Sequence, residues 1–155
     1  MQETLQITKD NAIKAWNNGC GDVKKVLENL FGSESFKPKS IMDQVKTFED
    51  ACRILNLDPV TVLGVGLSPD ELAYRKLKVI ARALNQDWTP DWTNANQYKY
   101  YPWFDLSSGS GLRYFGCDVR RSGSSVGSRL CFKSRELAEY AGTQFIDIYT
   151  DFFIK

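Results

Sequence analysis

The sequence predicts a single α+β domain: N-terminal helices, then a three-stranded antiparallel β-meander, then a C-terminal amphipathic helix packed on the sheet. Three observations support this fold class. Apolar residues recur at helical spacing through the first half of the chain, and they do so again after residue 133. Between these parts lie short runs of strand type, which Ser- and Gly-rich segments separate. We therefore expect a mainly helical part over residues 1–86, and the aromatic loop, the meander and the last helix over residues 87–155.

The length and composition suit one globular domain. The chain has 155 residues, of which 43% are hydrophobic and 25% are charged. A chain of this length hides roughly 70% of the surface that its unfolded form exposes, so it needs no metal ion or disulfide to fold. The N-terminal residues contain no apolar signal segment, and no apolar run approaches the roughly 20 residues that span a bilayer. We predict a cytoplasmic protein without a membrane segment.

Helix signals recur through the first half of the chain. Two short helices are predicted in TKDNAIKAWNN and GDVKKVLENLFG, and FKPKS follows as a linker. One continuous amphipathic helix is predicted in SIMDQVKTFEDACRILNLDP, with one apolar face made of Ile41, Val45, Phe48, Cys52 and Leu55. A capping box of Ser68 and Glu71 begins the next helix. Its apolar stripe is Ala73, Leu77, Ile80 and Leu84. Three basic residues lie largely off that stripe: Lys76, Lys78 and Arg82.

The second half begins with three runs of strand type, YKYYPWFDL, LRYFGCDV and RLCFK. Pro102 favours an edge or an interruption in the first of them. If the second turn centres near Ser124, Cys117 faces Cys131 on the neighbouring strand, and in a cytoplasm we expect two neighbouring thiols. The final segment, SRELAEYAGTQFIDIYTDFF, predicts one helix that packs across the sheet. Its apolar face is Leu137, Ala141, Phe145, Ile148 and Phe152.

The composition excludes several classes of chemistry. The chain has no histidine, so Ser-His-Asp and Cys-His nucleophile arrangements and H-E-x-x-H zinc sites are absent. The Walker A pattern and a G-x-G-x-x-G dinucleotide signature are missing, and no two cysteines have C-x-x-C spacing. We predict no catalytic residue, no cofactor and no metal site. An enzyme that uses carboxylates alone stays an alternative, and it needs a deep cleft with two acids.

Aromatic and basic residues are concentrated in adjoining segments. Seven of the twenty aromatic residues lie within residues 88–104, WTPDWTNANQYKYYPWF. Residues 98–135 hold 7 Lys/Arg and 2 Asp/Glu, whereas residues 1–97 hold 12 and 13. Aromatic and basic side chains together are typical of surfaces that bind single-stranded nucleic acid. The predicted binding residues are Trp88, Trp92, Tyr98, Tyr101, Trp103, Arg113, Arg120, Arg121 and Arg129.

The aromatic run has two interpretations. Alternate side chains of a strand point to opposite faces. One face would carry Tyr98, Tyr100 and Phe104, and the other would carry Tyr101 and Trp103. In the first interpretation both faces are covered, one by the C-terminal helix and the other by the Trp88–Trp92 loop. In the second interpretation the Tyr and Trp rings form an open platform on which a base or a sugar stacks.

Three segments of the chain resemble sequences of a known group. The segments KTFEDACRILNLDP, VIARALNQDWTPDWTNANQYKYYPWF and VGSRLCFKSRELAEYAGTQFIDIY are similar to recurrent segments of a family of small uncharacterised proteins. That family occurs in gut-type bacteria and in their phages and mobile elements. The resemblance implies no activity, cofactor or site residue. It implies a phage or mobile-element gene, with a binding or structural role rather than a metabolic one.

The predicted function is therefore non-enzymatic binding, in a protein of phage or mobile-element type that acts through an aromatic–basic β surface over residues 88–133. Its partner would be a protein or nucleic acid, and a homodimer through an exposed aromatic strand stays open. The alternative is a sequence-tolerant single-stranded nucleic-acid binder, in the host cytoplasm if the gene is phage-encoded. A further alternative is a carbohydrate or small-ligand pocket between the Trp88–Trp92 loop and the sheet, with polar contacts from Asp91, Asn94 and Asn96.

Overall fold

The computed structural model describes residues 7–36, 40–107, 111–123 and 128–155. The chain divides into two compact units, residues 1–39 and residues 40–155. This division falls within the predicted linker FKPKS. The interpretation of residues 1–155 as one domain stays a prediction.

The first unit is a pair of helices followed by a short 3₁₀ turn, and the two helices predicted there are confirmed. Helix α1 spans Lys9–Asn18, α2 spans Gly21–Phe31, and the turn spans Ser33–Phe36. Trp16 stacks on Phe36 with ring centroids 5.6 Å apart, and its Nε1 donates a hydrogen bond to Oε1 of Glu28 at 3.1 Å. The contacts enclose a small core whose buried members are Ala12, Leu27 and Phe36.

The second unit contains the main core. Within its described residues there are six α-helices: α3 (Ile41–Gln44), α4 (Phe48–Ile54), α5 (Pro59–Leu63), α6 (Pro69–Asn85), α7 (Arg135–Gln144) and α8 (Ile146–Ile154). The apolar sides of α4, α6, α7 and α8, together with one face of a β-hairpin, enclose the core. These helices therefore fix the positions of the elements that carry the candidate site.

Helix α6 forms as its sequence predicts. The backbone N–H of Ser68 donates to Oε2 of Glu71 at 3.0 Å, which confirms the capping box. The apolar stripe is buried, and Leu77, Ile80 and Leu84 are each at most 2% exposed. Full burial of such side chains contributes roughly 1.5–3 kcal/mol each, so this face holds α6 firmly in the core.

The single helix predicted over SIMDQVKTFEDACRILNLDP is wrong, because the chain interrupts it between α3 and α4. Val45 leaves the helical region, with φ of −109° and ψ of 83°. The Asp50 carboxylate then accepts hydrogen bonds from the backbone N–H groups of Lys46 and Thr47, both at 3.0 Å. This second capping box satisfies the N–H groups at the start of α4 locally, so a new helix begins there.

The hairpin consists of β1 (Lys99–Asp105) and β2 (Arg113–Arg120), which pair in antiparallel fashion. Phe132 forms one bridge with Tyr100 at the other edge of β1, through N–H···O bonds of 3.0 and 2.8 Å. Within the described ranges the sheet therefore has two strands. The predicted three-stranded antiparallel β-meander is wrong, although the fold remains α+β, because the third segment does not pair with β2.

The third predicted strand, RLCFK, is too short to form a strand. A side chain of α6 holds it in place. A 3₁₀ turn occupies Ser128–Leu130 and α7 begins at Arg135, so few residues remain extended. Asn85, which is buried, donates through Nδ2 to the carbonyl of Cys131 at 2.7 Å. Its Oδ1 accepts from the backbone N–H of Lys133 at 2.9 Å. These bonds hold the segment against α6, and the bridge to Tyr100 places it beside β1 rather than beside β2.

The predicted register, in which Cys117 faces Cys131 across two neighbouring strands, is also wrong. Cys117 lies opposite Pro102 in the β1–β2 ladder. Cys131 precedes Phe132, which bridges to the opposite edge of β1. Neither of these two cysteines is in a disulfide, and the position of β1 between their two segments explains why they do not face each other.

The C-terminal segment packs on the sheet as predicted, but it forms two helices instead of one. Helix α7 ends at Gln144, and Phe145, with φ of −112° and ψ of 29°, separates it from α8. The Thr143 hydroxyl donates to the carbonyl of Glu139 at 2.8 Å and contacts that of Tyr140 at 3.1 Å. Such side-chain bonds compete with the helical backbone ladder and bend helices, which accounts for the break.

Gly142 permits the close approach of α7 to the hairpin. A Cβ at residue 142 would lie 2.7 Å from the Cβ of Pro102 and 2.7 Å from Cδ2 of Tyr114. Alanine favours a helix by about 1 kcal/mol over glycine, but the clash dominates. We expect Gly142→Ala to lower the free energy of unfolding by about 1–3 kcal/mol, as measured by urea denaturation.

A matched control for this substitution lies on β2. A Cβ at Gly116 would meet nothing within 4 Å, and Gly116 does not have a positive φ. We expect Gly116→Ala to leave the free energy of unfolding within about 0.5 kcal/mol of the wild-type value. Equal stability of the two variants would contradict the packing of α7 on the hairpin.

Candidate ligand-binding groove

A groove with a volume of about 570 Å³ lies between the C-terminal half of α6, the loop that follows it and the segment before α7. We call it the tryptophan groove. Its lining residues are Lys78, Arg82, Asn85, Trp88, Thr89, Pro90, Trp92, Arg129 and Cys131.

The charged side chains described at the tryptophan groove have one sign. Lys78, Arg82 and Arg129 line it, and the described residues of its lining include no carboxylate. Among the salt bridges between described residues, none involves these three cations. Like charges that converge in a cleft create a positive potential there, so the groove attracts anions.

Helix α6 supplies one wall of the groove through regular spacing. Lys78, Arg82 and Asn85 stand at positions i, i+4 and i+7, which share one side of a helix. That side lies away from the buried apolar stripe, so the two cations reach the groove while the helix stays anchored in the core. Lys78 also places its Nζ 4.8 Å from the ring centroid of Tyr74.

The loop after α6 brings Trp88 and Trp92 to the groove. The backbone N–H of Trp88 donates to the carbonyl of Asn85 at 3.1 Å, so this residue directly follows the helix end. Pro90 lies between the two tryptophans and prevents regular helix there. Both indole rings are half-buried, which leaves part of each ring accessible to a ligand.

Residues 91–97 form a compact loop that is bonded within itself. The Thr93 hydroxyl and backbone N–H both donate to Oδ1 of Asp91, at 2.7 and 2.9 Å, and they lower the pKa of that carboxyl group. The backbone N–H of Asp91 donates to Oε1 of Gln97 at 2.7 Å. Asp91 therefore stays ionised and engaged in the loop, and it does not line the groove.

Lys99 lies beneath this loop and is fully buried. Its Nζ donates to the carbonyl oxygens of Asp91, Asn94 and Gln97, the last at 2.9 Å. The same atom lies 5.3 Å from the ring centroid of Trp92, in cation–π range. Since Lys99 does not line the groove, it contacts Trp92 from the protein side.

Cys131 closes the groove near Asn85. Burial raises the pKa of its thiol to about 11, although a hydrogen bond with the Tyr101 side chain acts in the opposite direction. The thiol is therefore neutral at pH 7 and is a poor nucleophile. Its contribution to the groove is an apolar, polarizable surface.

The structure brings together three of the nine predicted binding residues and places the others elsewhere. Trp88, Trp92 and Arg129 line the tryptophan groove. The remaining six lie on the hairpin or directly beside it: Tyr98, Tyr101, Trp103, Arg113, Arg120 and Arg121. The single aromatic–basic surface predicted over residues 88–133 is thus divided between two locations.

The hairpin buries some rings of the aromatic run and leaves others exposed. Phe104 is buried in the core, whereas Trp103 is 52% exposed opposite Gly116. Tyr101 is half-buried and bonded to Cys131. Phe115, which occupies a β-bulge, is 68% exposed. One face is therefore core, and the outer face keeps exposed rings at one end.

The arginines of the hairpin are largely engaged by local partners. Arg113 pairs with Asp105 at 2.8 Å, and hydrogen bonds from the Ser107 hydroxyl and backbone, together with Arg113, lower the pKa of Asp105 to about 2. Arg120 pairs with Asp118 at 2.6 Å. The positive charge predicted for this segment is therefore offset at two positions.

Arg121 is held against Tyr98 at the end of the hairpin. Its guanidinium carbon lies 5.1 Å from the ring centroid of Tyr98, and its Nη2 donates to the tyrosine hydroxyl at 3.0 Å. Tyr98 in turn lies 6.4 Å from Tyr100, between ring centroids. This stack belongs to the hairpin, because none of its members lines the tryptophan groove.

The carbohydrate pocket was expected to use Asp91, Asn94 and Asn96, and the structure places none of them in the lining of the groove. Oδ1 of Asn94 accepts from the backbone N–H of Asn96 at 2.8 Å within the loop. Asp91 is engaged by Thr93. Two of these side chains thus stabilise the loop.

Sequence reasoning missed Lys78, Arg82 and Asn85 as site residues. A signal was present, because the two basic residues and the asparagine recur at helical spacing on the side opposite the stripe. Their relation to Trp88 and Arg129 depends on how the chain folds back, which spacing along one helix does not reveal.

Comparisons with protein-family models, curated proteins and solved structures find no match to this chain. The resemblance to phage and mobile-element proteins stays a prediction. In the described ranges, no three Cys, Asp or Glu side chains are grouped as a metal site would require. No helix there is both long and apolar enough to cross a bilayer.

Proposed function

We propose that this protein acts by binding and that the tryptophan groove takes single-stranded nucleic acid. One observation carries the proposal: two half-buried tryptophans and three cationic side chains line one groove, and no acid is among the lining residues that the structure describes. Bases stack on aromatic rings, and phosphates pair with Lys and Arg. The cytoplasmic location and the phage or mobile-element origin belong to the same proposal.

The size of the groove suits a short part of a strand. Ligand sites commonly measure about 300–1,000 Å³, and the tryptophan groove has about 570 Å³. Each base stacked on an aromatic ring contributes roughly 1–3 kcal/mol. Trp88 and Trp92 offer two such rings, and neither contact requires a particular base. The groove thus favours binding that tolerates sequence changes.

A protein partner is a second candidate, and the outer end of the hairpin favours it. Trp103, Leu106 and Phe115 are 52%, 55% and 68% exposed. Exposed apolar side chains of this size are typical of protein contact surfaces. The neighbouring arginines are paired with acids, so this surface suits a nucleic acid less well than the groove does.

Tryptophan fluorescence tests the proposed function. A short mixed-sequence single-stranded DNA is titrated at low salt, and salt is then added. We expect quenching that salt reverses, with a slope of log K against log salt of about −2 for three phosphate contacts. A flat titration of the folded protein would contradict the proposal.

Two variants locate the quenching. Trp88→Phe combined with Trp92→Phe removes both indoles of the groove, and we expect most of the signal change to disappear. Trp103→Phe is the matched control, because this exposed ring lies on the hairpin outside the groove. Loss of the signal in the control alone would place the ligand on the hairpin instead.

A further inference from the structure

Lys99 has an unusual environment for a lysine. Its side chain is 0% exposed, and a lysine is almost never fully buried unless it is paired. Among the salt bridges between described residues, none includes Lys99. Three main-chain carbonyl groups, of Asp91, Asn94 and Gln97, accept its three ammonium protons instead.

The three carbonyl groups all belong to the loop that carries Trp92. The loop runs from Asp91 to Gln97, and its ends and its middle converge on the one ammonium group. Trp92 adds its ring face at 5.3 Å. Burial of an ammonium group is costly unless its hydrogen bonds are satisfied, so the loop must keep this shape while Lys99 stays inside.

We infer that Lys99 is the positioning residue of the tryptophan groove: it fixes the loop over residues 91–97 and so holds the Trp92 ring where a base can stack. Lys99 touches no ligand itself, because it does not line the groove. The ligand part of this inference rests on the proposed function. The loop part does not, and it is measurable without any ligand.

Lys99 also places a fourth positive charge behind the groove. The charges of Lys78, Arg82 and Arg129 are at the lining, whereas that of Lys99 is buried beneath Trp92. Its three carbonyl acceptors surround that charge and offset it. The main effect of Lys99 on the groove is therefore to hold the loop that carries Trp92.

The test compares Lys99→Met, which removes the charge and keeps the length, with Lys99→Arg, which keeps the charge. Affinity for a labelled oligothymidine is measured by fluorescence anisotropy. We expect Lys99→Met to bind about tenfold more weakly, because the loss of one base stacked on an aromatic ring corresponds to about that change in affinity. Lys99→Arg should bind about threefold more tightly than Lys99→Met, because its guanidinium also donates to carbonyl groups.

A double-mutant cycle shows whether Lys99 acts through Trp92. We expect Trp92→Ala to weaken binding. Adding Lys99→Met to Trp92→Ala should then change affinity less than about twofold, because the effects of coupled residues are not additive. Lys133→Met is the matched control. The Lys133 ammonium donates to Oε1 of Gln86 at 3.0 Å near the same segment, so its loss should leave affinity nearly unchanged.

Amide hydrogen exchange of residues 91–97 provides the measurement without a ligand. We expect exchange at least about tenfold faster in Lys99→Met than in the wild type or in Lys133→Met, since the loop loses its central contacts. If Lys99→Met does not fold, Lys99→Arg replaces it in the cycle and in the exchange measurement.

The outcomes distinguish the role of Lys99 in the loop from the proposed binding of nucleic acid in the groove. Unchanged affinity and unchanged exchange in folded Lys99→Met overturn the inference, as do independent effects of Lys99 and Trp92 in the cycle. Absence of oligothymidine binding by the wild type sinks the proposed function instead. Faster exchange in Lys99→Met would then still support the role of Lys99 in positioning the loop.

Discussion

Replacement of Arg82 and Arg129 together by glutamine is expected to weaken binding of a short single-stranded DNA by about 100-fold. Hydrogen bonds to charged groups contribute roughly 1.5–3 kcal/mol each, and 1.4 kcal/mol corresponds to a factor of ten. Both side chains line the tryptophan groove from different parts of the chain. The slope of log K against log salt concentration should also become less steep by about 1.4. Each phosphate contact on a single strand contributes roughly 0.7 to that slope, and two contacts are lost.

The matched control removes the same charge from the hairpin. Arg113 and Arg120 pair with Asp105 and Asp118, so their replacement by glutamine should change affinity less than about threefold. Fluorescence anisotropy at several salt concentrations measures both variants. Equal losses in the two double variants would mean that net charge alone governs binding, and the groove would lose its specific role.

The second large effect is expected on stability, from Asn85→Ala. This side chain is 5% exposed and bonds to the carbonyl of Cys131 and the backbone N–H of Lys133. Its truncation leaves two main-chain groups without partners, and each costs about 1–3 kcal/mol when buried. We expect the free energy of unfolding to fall by about 2–4 kcal/mol in urea denaturation.

Asn96→Ala is the control for that loss, because the Asn96 side chain is exposed in the loop. Its effect should remain within about 0.5 kcal/mol. Asn85→Asp adds a further distinction, since it keeps the acceptor for Lys133 and loses the donor for Cys131. A stability of Asn85→Ala equal to that of Asn96→Ala would contradict the described attachment of the segment to α6.

A helix could be predicted from the sequence where both its cap and its buried face were visible there. The capping box at Ser68 and the stripe through Leu77 and Leu84 predict α6 because its cap and its buried face are both encoded within the helix itself. The interruption before Thr47 was missed for a related reason. Asp50 can serve as an ordinary helical residue or as the partner of a new cap, and apolar spacing alone does not distinguish the two.

The sheet was harder to predict, because pairing depends on distant residues. The segment around Phe132 has strand-like composition, yet Asn85 binds it on one side and Tyr100 on the other. Turn signals near Ser124 favoured a neighbour on β2, and they contained no information about α6. Tertiary context therefore overrode local preference at this segment.

The candidate site could be predicted only in part, because it too depends on residues that are distant in the sequence. Trp88, Trp92 and Arg129 were identified from composition, because aromatic and basic residues are dense there. Lys78 and Arg82 could be placed only off the apolar stripe of α6. The fold brings that side next to the tryptophans, and the spacing along a single helix does not encode this neighbour.

The hydrogen bond between Asn85 and Cys131 joins residues 46 positions apart, so it can form only after both parts of the chain have been synthesised. Synthesis proceeds from the N-terminus, so α6 and both tryptophans are made before Arg129. A nascent chain at that stage carries the stacking rings and two of the cations without the facing wall. The groove is therefore completed late in synthesis, and a chain that stops before residue 128 would carry the tryptophans without the wall that contains Arg129.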